Sequence, residues 1–178
     1  MTIKDRLFNQ YSVEIDPALY IRRLSETEQN IYNLIEINGL DQKSVAKLEG
    51  VTQGAISSRL SRICKKIGYL YQISQFDVSN IDNDLGHIFG PFETELVKGM
   101  IGTTCQSETA RILNQMFNLM GNKKMNQVKI RHRFEKCLKQ LKDNKDPLLI
   151  KYYNLLKMTK ENLYMLYEVK LPKWERGF

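Results

Sequence analysis

The chain has 178 residues, enough for one domain or two small ones, and its 42% apolar and 26% charged residues argue against wholesale disorder. The net charge of +7 favours an anionic partner. No apolar run is long enough to span a membrane, Met1–Gln10 lacks the apolar stretch of a secretory signal, and the three cysteines are odd in number. We therefore expect a soluble, cytoplasmic protein with reduced thiols and no membrane partner.

The chain contains only four prolines and no long alternating stretch, which favours an all-α fold. After a partly helical lead-in over Met1–Leu24, a helix is predicted to begin at Ser25, because Ser25 and Glu28 have the spacing of a capping box. Gly39 is expected to end that helix, and Asp41 is well placed to cap the next one.

Residues 42–60 have the pattern of a helix-turn-helix. Such a motif needs a small residue where its helices cross, a residue that tolerates positive φ at the turn, and apolar residues just after the turn and again further along. These positions hold Ala46, Gly50, Val51, Ile56 and Leu60. Thr52 can cap the following helix, so a recognition helix is predicted over 52–67. The alternative is a helix pair joined at a glycine with no role in DNA binding.

The predicted recognition helix carries no Asp or Glu between Thr52 and Ile67. Its short polar side chains can reach base edges in the major groove, and its basic side chains can reach flanking phosphates. The predicted DNA-facing residues are Thr52, Gln53, Ser57, Ser58, Arg59, Ser61, Arg62, Lys65 and Lys66.

The segment Leu24–Ile67 resembles region 4 of the sigma-70-type RNA polymerase factors and the similar LuxR-type output domains. The closest stretch runs from Gly50 to Ile67. The resemblance implies that the helix beginning at Thr52 lies in the major groove. It also adds RNA polymerase as a candidate partner.

Tyr69–Gly90 is expected to connect two domains, 1–76 and 91–178, with the connector proper at 77–90, because Asp77–Gly86 is rich in Asp, Asn and Ser. Further helices are expected to begin near Pro91, to cover Ala110–Met120, and to run through a basic segment to about Lys142. Leu148–Leu171 is expected to add one or two amphipathic helices, which either complete the core or contact a partner.

Basic residues concentrate in Lys123–Lys145, which holds nine Lys or Arg and two acidic residues, an excess equal to the charge of the whole chain. Residues 125–139 align with 51–65 at a constant offset, which predicts a degenerate second helix-turn-helix with an insertion over Asn114–Lys124 and a recognition helix over 125–141. Its DNA-facing residues would be Asn126, Gln127, Lys129, Arg131, His132, Arg133, Lys136 and Lys139. The alternative is an amphipathic helix with a solvated basic face.

No other chemistry is indicated. A Walker-type phosphate loop and a nucleophile elbow are absent, and His87 and His132 are distant from each other and from any cysteine pair. We therefore expect no enzyme activity, no metal site and no cofactor.

Together these features predict a sequence-specific double-stranded DNA-binding protein with an all-α fold, tandem helix-turn-helix modules and a C-terminal helical extension. We expect a transcription regulator of a phage or low-GC bacterium, acting as a monomer or homodimer. Two alternatives remain open. One is a DNA-packaging protein like a phage terminase small subunit, which would oligomerise through the region after Pro147. The other is a sigma-like module that binds RNA polymerase without touching DNA.

Overall fold

The computed structural model describes residues 1–166, and the regular secondary-structure elements among them are all helices. The predicted all-α fold is therefore confirmed. Residues 1–75 form one compact unit and residues 76–166 a second. Within the described part of the chain, no helix is both long and apolar enough to cross a membrane.

The first unit contains four α-helices and three shorter helical turns. The α-helices are α1 (Ile3–Tyr11), α2 (Glu26–Tyr32), α3 (Gln42–Glu49) and α4 (Gln53–Ser74). Two 3-10 turns, Pro17–Leu19 and Ile21–Arg23, precede α2, and a wider π-helical turn, Asn33–Ile37, extends it. All four α-helices contribute buried side chains to one core.

The helix caps predicted at Ser25 and Asp41 are present in the first unit. The Ser25 hydroxyl accepts a hydrogen bond from the Glu28 backbone N–H at 3.4 Å, and the Glu28 carboxylate accepts one from the Ser25 N–H at 3.0 Å. Asp41 accepts from the Ser44 N–H at 2.7 Å. Gly39 and Gly50 adopt positive φ values of 69° and 66°. The Ser25 and Asp41 side chains thus satisfy backbone N–H groups that have no partner inside their helices.

Helix α4 continues beyond the predicted end near Ile67. Tyr69, Leu70 and Ile73 are buried and extend its apolar stripe, so this part of the expected connector is helical. At Gly68 the helix α1 approaches closely, because a Cβ atom at that position would overlap the ring of Tyr11.

The second unit is built around α6. Its helices are α5 (Ile81–Gly86), α6 (Pro91–Thr103), α7 (Gln106–Met116), α8 (Gln127–Asp143) and α9 (Pro147–Glu161). Residues 94 and 96–103 of α6 are buried, and the other four helices of the unit all pack against it. The segment 77–90, expected to be a connector, contains α5, whose Ile81 and Leu85 are buried.

Two helix ends in the second unit differ from the expectation. Helix α7 ends at Met116 instead of Met120, and Asn118 adopts a positive φ of 52° in the turn that follows. Helix α9 ends at Glu161, and the last expected residues of that segment, 167–171, lie outside the described residues. The buried side chains of α9 complete the core of this unit; they are Leu149, Tyr152, Leu155, Leu156 and Thr159.

Candidate nucleic-acid interface

The corner between α3 and α4 has the geometry of a helix-turn-helix. Ala46 is buried where the two helices meet, and its carbonyl oxygen accepts a hydrogen bond from the Val51 N–H at 3.0 Å. Gly50 adopts a left-handed conformation at the turn. The Thr52 hydroxyl then accepts from the Ala55 N–H at 3.1 Å and begins α4. Each residue type that the pattern required is therefore used as predicted.

Helix α4 has one buried side and one polar side. Ile56, Leu60, Ile63 and Ile67 are at most 1% exposed. On the other side Thr52, Gln53, Ser58 and Ser61 are exposed and Ser57 is half-buried. The side chains predicted to reach base edges are thus at the surface, where a duplex can approach them.

The basic residues of α4 divide into two groups. Lys65 is exposed and Arg59 is half-buried, so both remain available to phosphates. Arg62 is exposed too, but its Nε lies 3.5 Å from a carboxylate oxygen of Glu28.

Lys66, in contrast, is only 2% exposed, and its Nζ lies 2.8 Å from each carboxylate oxygen of the equally buried Glu28. The prediction that Lys66 contacts DNA phosphates is therefore wrong, because its ammonium group faces the interior of the unit and neutralises a buried carboxylate.

Residues 18–67 match the family model described as sigma-70, region 4. This segment is similar to sigma-70 region 4. The predicted resemblance is therefore confirmed for this part of the chain, which is 50 of its 178 residues. Domains of this type bind duplex DNA with the second helix of the motif in the major groove. No curated protein and no solved structure gives a significant match to the chain.

The sigma-70 region 4 match ends at Ile67, so it does not extend to the predicted second copy. The structure does give α8 the same local features as α4. Asn126 caps α8 by accepting from the Lys129 N–H at 2.9 Å, as Thr52 caps α4. The buried residues Ile130, Phe134, Cys137 and Leu141 lie 74 positions after those that brace α4. A common origin of the two segments stays a prediction.

Three of the predicted DNA-facing residues of α8 are engaged within the second unit. Gln127 donates to the Tyr164 hydroxyl at 2.9 Å and to the Gln106 side chain at 3.4 Å. The Lys129 ammonium donates to two backbone carbonyls of the preceding turn. The Arg133 guanidinium lies 2.6 Å from a carboxylate oxygen of Glu93. A duplex would have to compete with these contacts, because each occupies donors that a base or phosphate would need.

The other predicted DNA-facing residues of α8 are Arg131, His132, Lys136 and Lys139, and we name this group the α8 surface. All four are exposed and have no charged partner among the described residues. Glu135 lies on the same side of the helix, but its carboxylate is 2.8 Å from the Lys160 ammonium of α9. The surface therefore keeps a positive potential, as a phosphate-binding surface requires.

The turn between α7 and α8 is long but firmly held. The Asn114 side chain donates to the Met125 carbonyl at 2.9 Å and accepts from the Met125 N–H at 2.7 Å. The Lys129 ammonium spans the turn from the other side, 2.8 Å from the Asn122 carbonyl and 2.9 Å from that of Lys124. Sequence reasoning placed the insertion here but missed these braces, because neither residue type signals a bond to a backbone group so many positions away.

No cluster of His, Cys, Asp and Glu within residues 1–166 could hold a metal ion. Cys64, Cys105 and Cys137 are buried free thiols. Burial raises the pKa of Cys64 to about 11 and that of Cys137 to about 12, so both are neutral side chains of the core.

Proposed function

We propose that this protein is a sequence-specific transcription regulator that reads the major groove with α4 and binds phosphates with the α8 surface. The observation that carries the proposal is the exposed side of α4 from Thr52 to Lys65. It is polar, free of acidic residues, and fixed from behind by a buried stripe that begins at Ile56. A rigid helix with hydrogen-bonding side chains is what direct readout of base edges needs.

The α8 surface supports a second contact with nucleic acid in the same chain. It presents Arg131, His132, Lys136 and Lys139 on a helix that is capped and braced as α4 is. Phosphate contacts contribute affinity without sequence preference, whereas α4 contributes the preference. Two linked surfaces raise the overall affinity without requiring a dimer.

Selection from a random duplex pool tests sequence-specific reading directly. We expect the full chain to enrich one sequence pattern, and we expect its affinity for that site to fall steeply with salt, with a slope of about −0.9 per phosphate contact in a log–log plot. Binding of every sequence with equal affinity would contradict sequence-specific reading. Absence of binding even at low salt would contradict DNA binding altogether and favour a module that binds RNA polymerase only.

The oligomeric state separates regulation from DNA packaging. Light scattering on the full chain is expected to give the mass of a monomer or homodimer. A ring of many subunits would contradict the regulator and support a protein of the terminase small-subunit kind, since packaging proteins of that kind act as rings.

A further inference from the structure

The turn between α7 and α8 and the first turn of α6 enclose a recess of about 480 Å³ at one edge of the α8 surface. Its apolar wall consists of Phe92, Leu119 and Met125, and its polar rim of Asn122, Lys123, Lys129, His132 and Arg133. A recess of this size can take a small organic ligand, and such sites combine an apolar wall with a few convergent polar groups.

One part of the apolar wall is the ring of Phe92, which is held in place by its neighbours. The ring of Phe92 packs against Phe117 with 5.1 Å between centroids. The Arg133 guanidinium lies over the same ring, 4.9 Å from its centroid, and Glu93 fixes it from the side. Arg133 is still 47% exposed, so another flat group can stack on its outer face. Bases of nucleic acids stack on both aromatic rings and guanidinium planes.

The rim carries positive charge and no carboxylate. Lys123 and His132 have no partner among the described residues. Lys129 uses two of its three N–H donors for the turn and keeps one. An ammonium group attracts a phosphate as a compact charge, and several such groups around one recess favour a phosphate over a neutral ligand.

The lining of the recess is held in place by hydrogen bonds within the turn. Asn114 fixes Met125 on the apolar wall, and Lys129 fixes the backbone of Asn122 on the rim. A site that is already formed costs little ordering free energy when its ligand binds.

We propose that this recess binds a nucleotide, with the base stacked on the outer face of the Arg133 guanidinium and the phosphate at Lys123, Lys129 and His132. The same chemistry is offered by a free mononucleotide and by an unpaired nucleotide at the end of a nucleic acid. Binding of the nucleotide by itself does not depend on whether α4 or the α8 surface binds duplex DNA, so the two proposals fail separately.

Titration of the full chain with 5′-dAMP, deoxyadenosine and inorganic phosphate, followed by calorimetry or amide NMR shifts, tests the proposal. We expect 5′-dAMP to bind at least tenfold more tightly than deoxyadenosine or inorganic phosphate. Only the complete nucleotide contacts both the apolar wall and the polar rim of the recess. Lys123→Ala should weaken 5′-dAMP binding about fivefold, which corresponds to loss of one partly exposed charge contact. The matched control is Lys142→Ala. Lys142 is an exposed lysine of α8 that does not line the recess, so this change should leave the affinity for 5′-dAMP unchanged.

Three results would overturn the proposal. The first is no binding of 5′-dAMP at about 5 mM, a concentration that detects even very weak ligands. The second is equal affinity for inorganic phosphate and 5′-dAMP. The third is an equal loss of 5′-dAMP affinity in Lys123→Ala and Lys142→Ala.

A blunt hairpin duplex and the same hairpin with one unpaired 3′ nucleotide then separate the two sources. Tighter binding of the unpaired end that disappears in Lys123→Ala supports the nucleic-acid source. Binding of 5′-dAMP without any preference between the hairpins supports a free nucleotide.

Discussion

The Lys66 ammonium lies 2.8 Å from both carboxylate oxygens of Glu28, which joins the recognition helix α4 to the start of α2 through a buried ion pair. The same carboxylate completes the capping box of α2 by accepting from the Ser25 N–H. The Glu28 side chain thus takes part in the cap of α2 and also ties α4 to that helix.

The ion pair predicts unequal effects for two neighbouring lysines. Lys66→Ala should lower the free energy of unfolding by about 3–5 kcal/mol, because it leaves a buried carboxylate without its main partner. Lys65→Ala changes an exposed side chain and should stay within about 0.5 kcal/mol of the wild type. Urea denaturation of both variants measures the difference.

The double variant Glu28→Gln/Lys66→Met removes both charges, so it should recover much of the stability lost in Lys66→Ala. Equal stability of the two single variants, Lys66→Ala and Lys65→Ala, would show that the pair contributes nothing.

If α4 reads base edges, its variants should fall into two classes, those that lose a base contact and those that lose a phosphate contact. Gln53→Ala or Ser58→Ala should reduce discrimination among sites by about 1–3 kcal/mol at one position, because a base-edge contact is lost. Lys65→Ala should weaken all sequences alike and lower the salt slope by about one. Binding measured on the selected site and on its single-base variants tells the classes apart. Identical behaviour of Gln53→Ala and Lys65→Ala would contradict the division between base and phosphate contacts.

The α8 surface predicts that the affinity for duplex DNA also depends on basic side chains outside the sigma-70 region 4 segment. Lys136→Ala and Lys139→Ala should each weaken duplex binding and reduce the salt slope by about one. The control is Lys157→Ala, an exposed lysine of α9 that lies off this surface. If Lys157→Ala had the same effect, net charge alone would explain the affinity.

The close approach of Tyr11 to Gly68 predicts that a change at Tyr11 partly restores the stability lost in Gly68→Ala. Gly68→Ala should destabilise the first unit by about 1–3 kcal/mol, because the added methyl group overlaps the Tyr11 ring and displaces α1. Gly68→Ala combined with Tyr11→Ala should lose less than the sum of the two single variants, since the overlap is then absent. The comparison is Gly54→Ala, where the nearest atom is 3.9 Å away, and this change should stabilise α4. Strict additivity at Gly68 and Tyr11 would count against the close approach.

The buried thiols predict a loss of stability at alkaline pH. Burial raises the pKa of Cys137 from 9.0 to about 12. Because the folded chain holds this proton more tightly than the unfolded chain, the contribution to stability is complete below pH 9.0 and falls as the pH rises toward 12. The urea midpoint of the wild type should therefore drop as the pH rises from 9.0 toward about 12, and drop less in Cys137→Ala. An identical drop in both proteins would exclude the thiol as a cause.

Local features of the fold could be predicted because they depend on residues a few positions apart. The caps at Ser25, Asp41 and Thr52 and the turn at Gly50 follow from side chains that bond to their own neighbouring backbone. The apolar stripe of α4 follows from helical periodicity in the same way.

The side chains that were misjudged depend on partners distant in sequence. Lys66 is buried because Glu28, 38 residues earlier, needs a counter-charge. Gln127 is occupied by Tyr164, and Arg133 by Glu93, across 37 and 40 residues. Periodicity does not reveal such partners, so the sequence could not show that Lys66 is buried or that the exposed Gln127 and Arg133 already bond to other side chains.

The double hydrogen bond between Asn114 and Met125 separates the tip of the α7–α8 turn from the helices that it joins. Both backbone groups of Met125 are bonded to Asn114 of α7, so the start of α8 is fixed to α7 directly and not only through the tip. Met120 and Lys123 project from that tip and can be exchanged, or the tip lengthened, without rotating α8. Substitutions at the tip should therefore alter the proposed nucleotide site while leaving the packing of α8 unchanged.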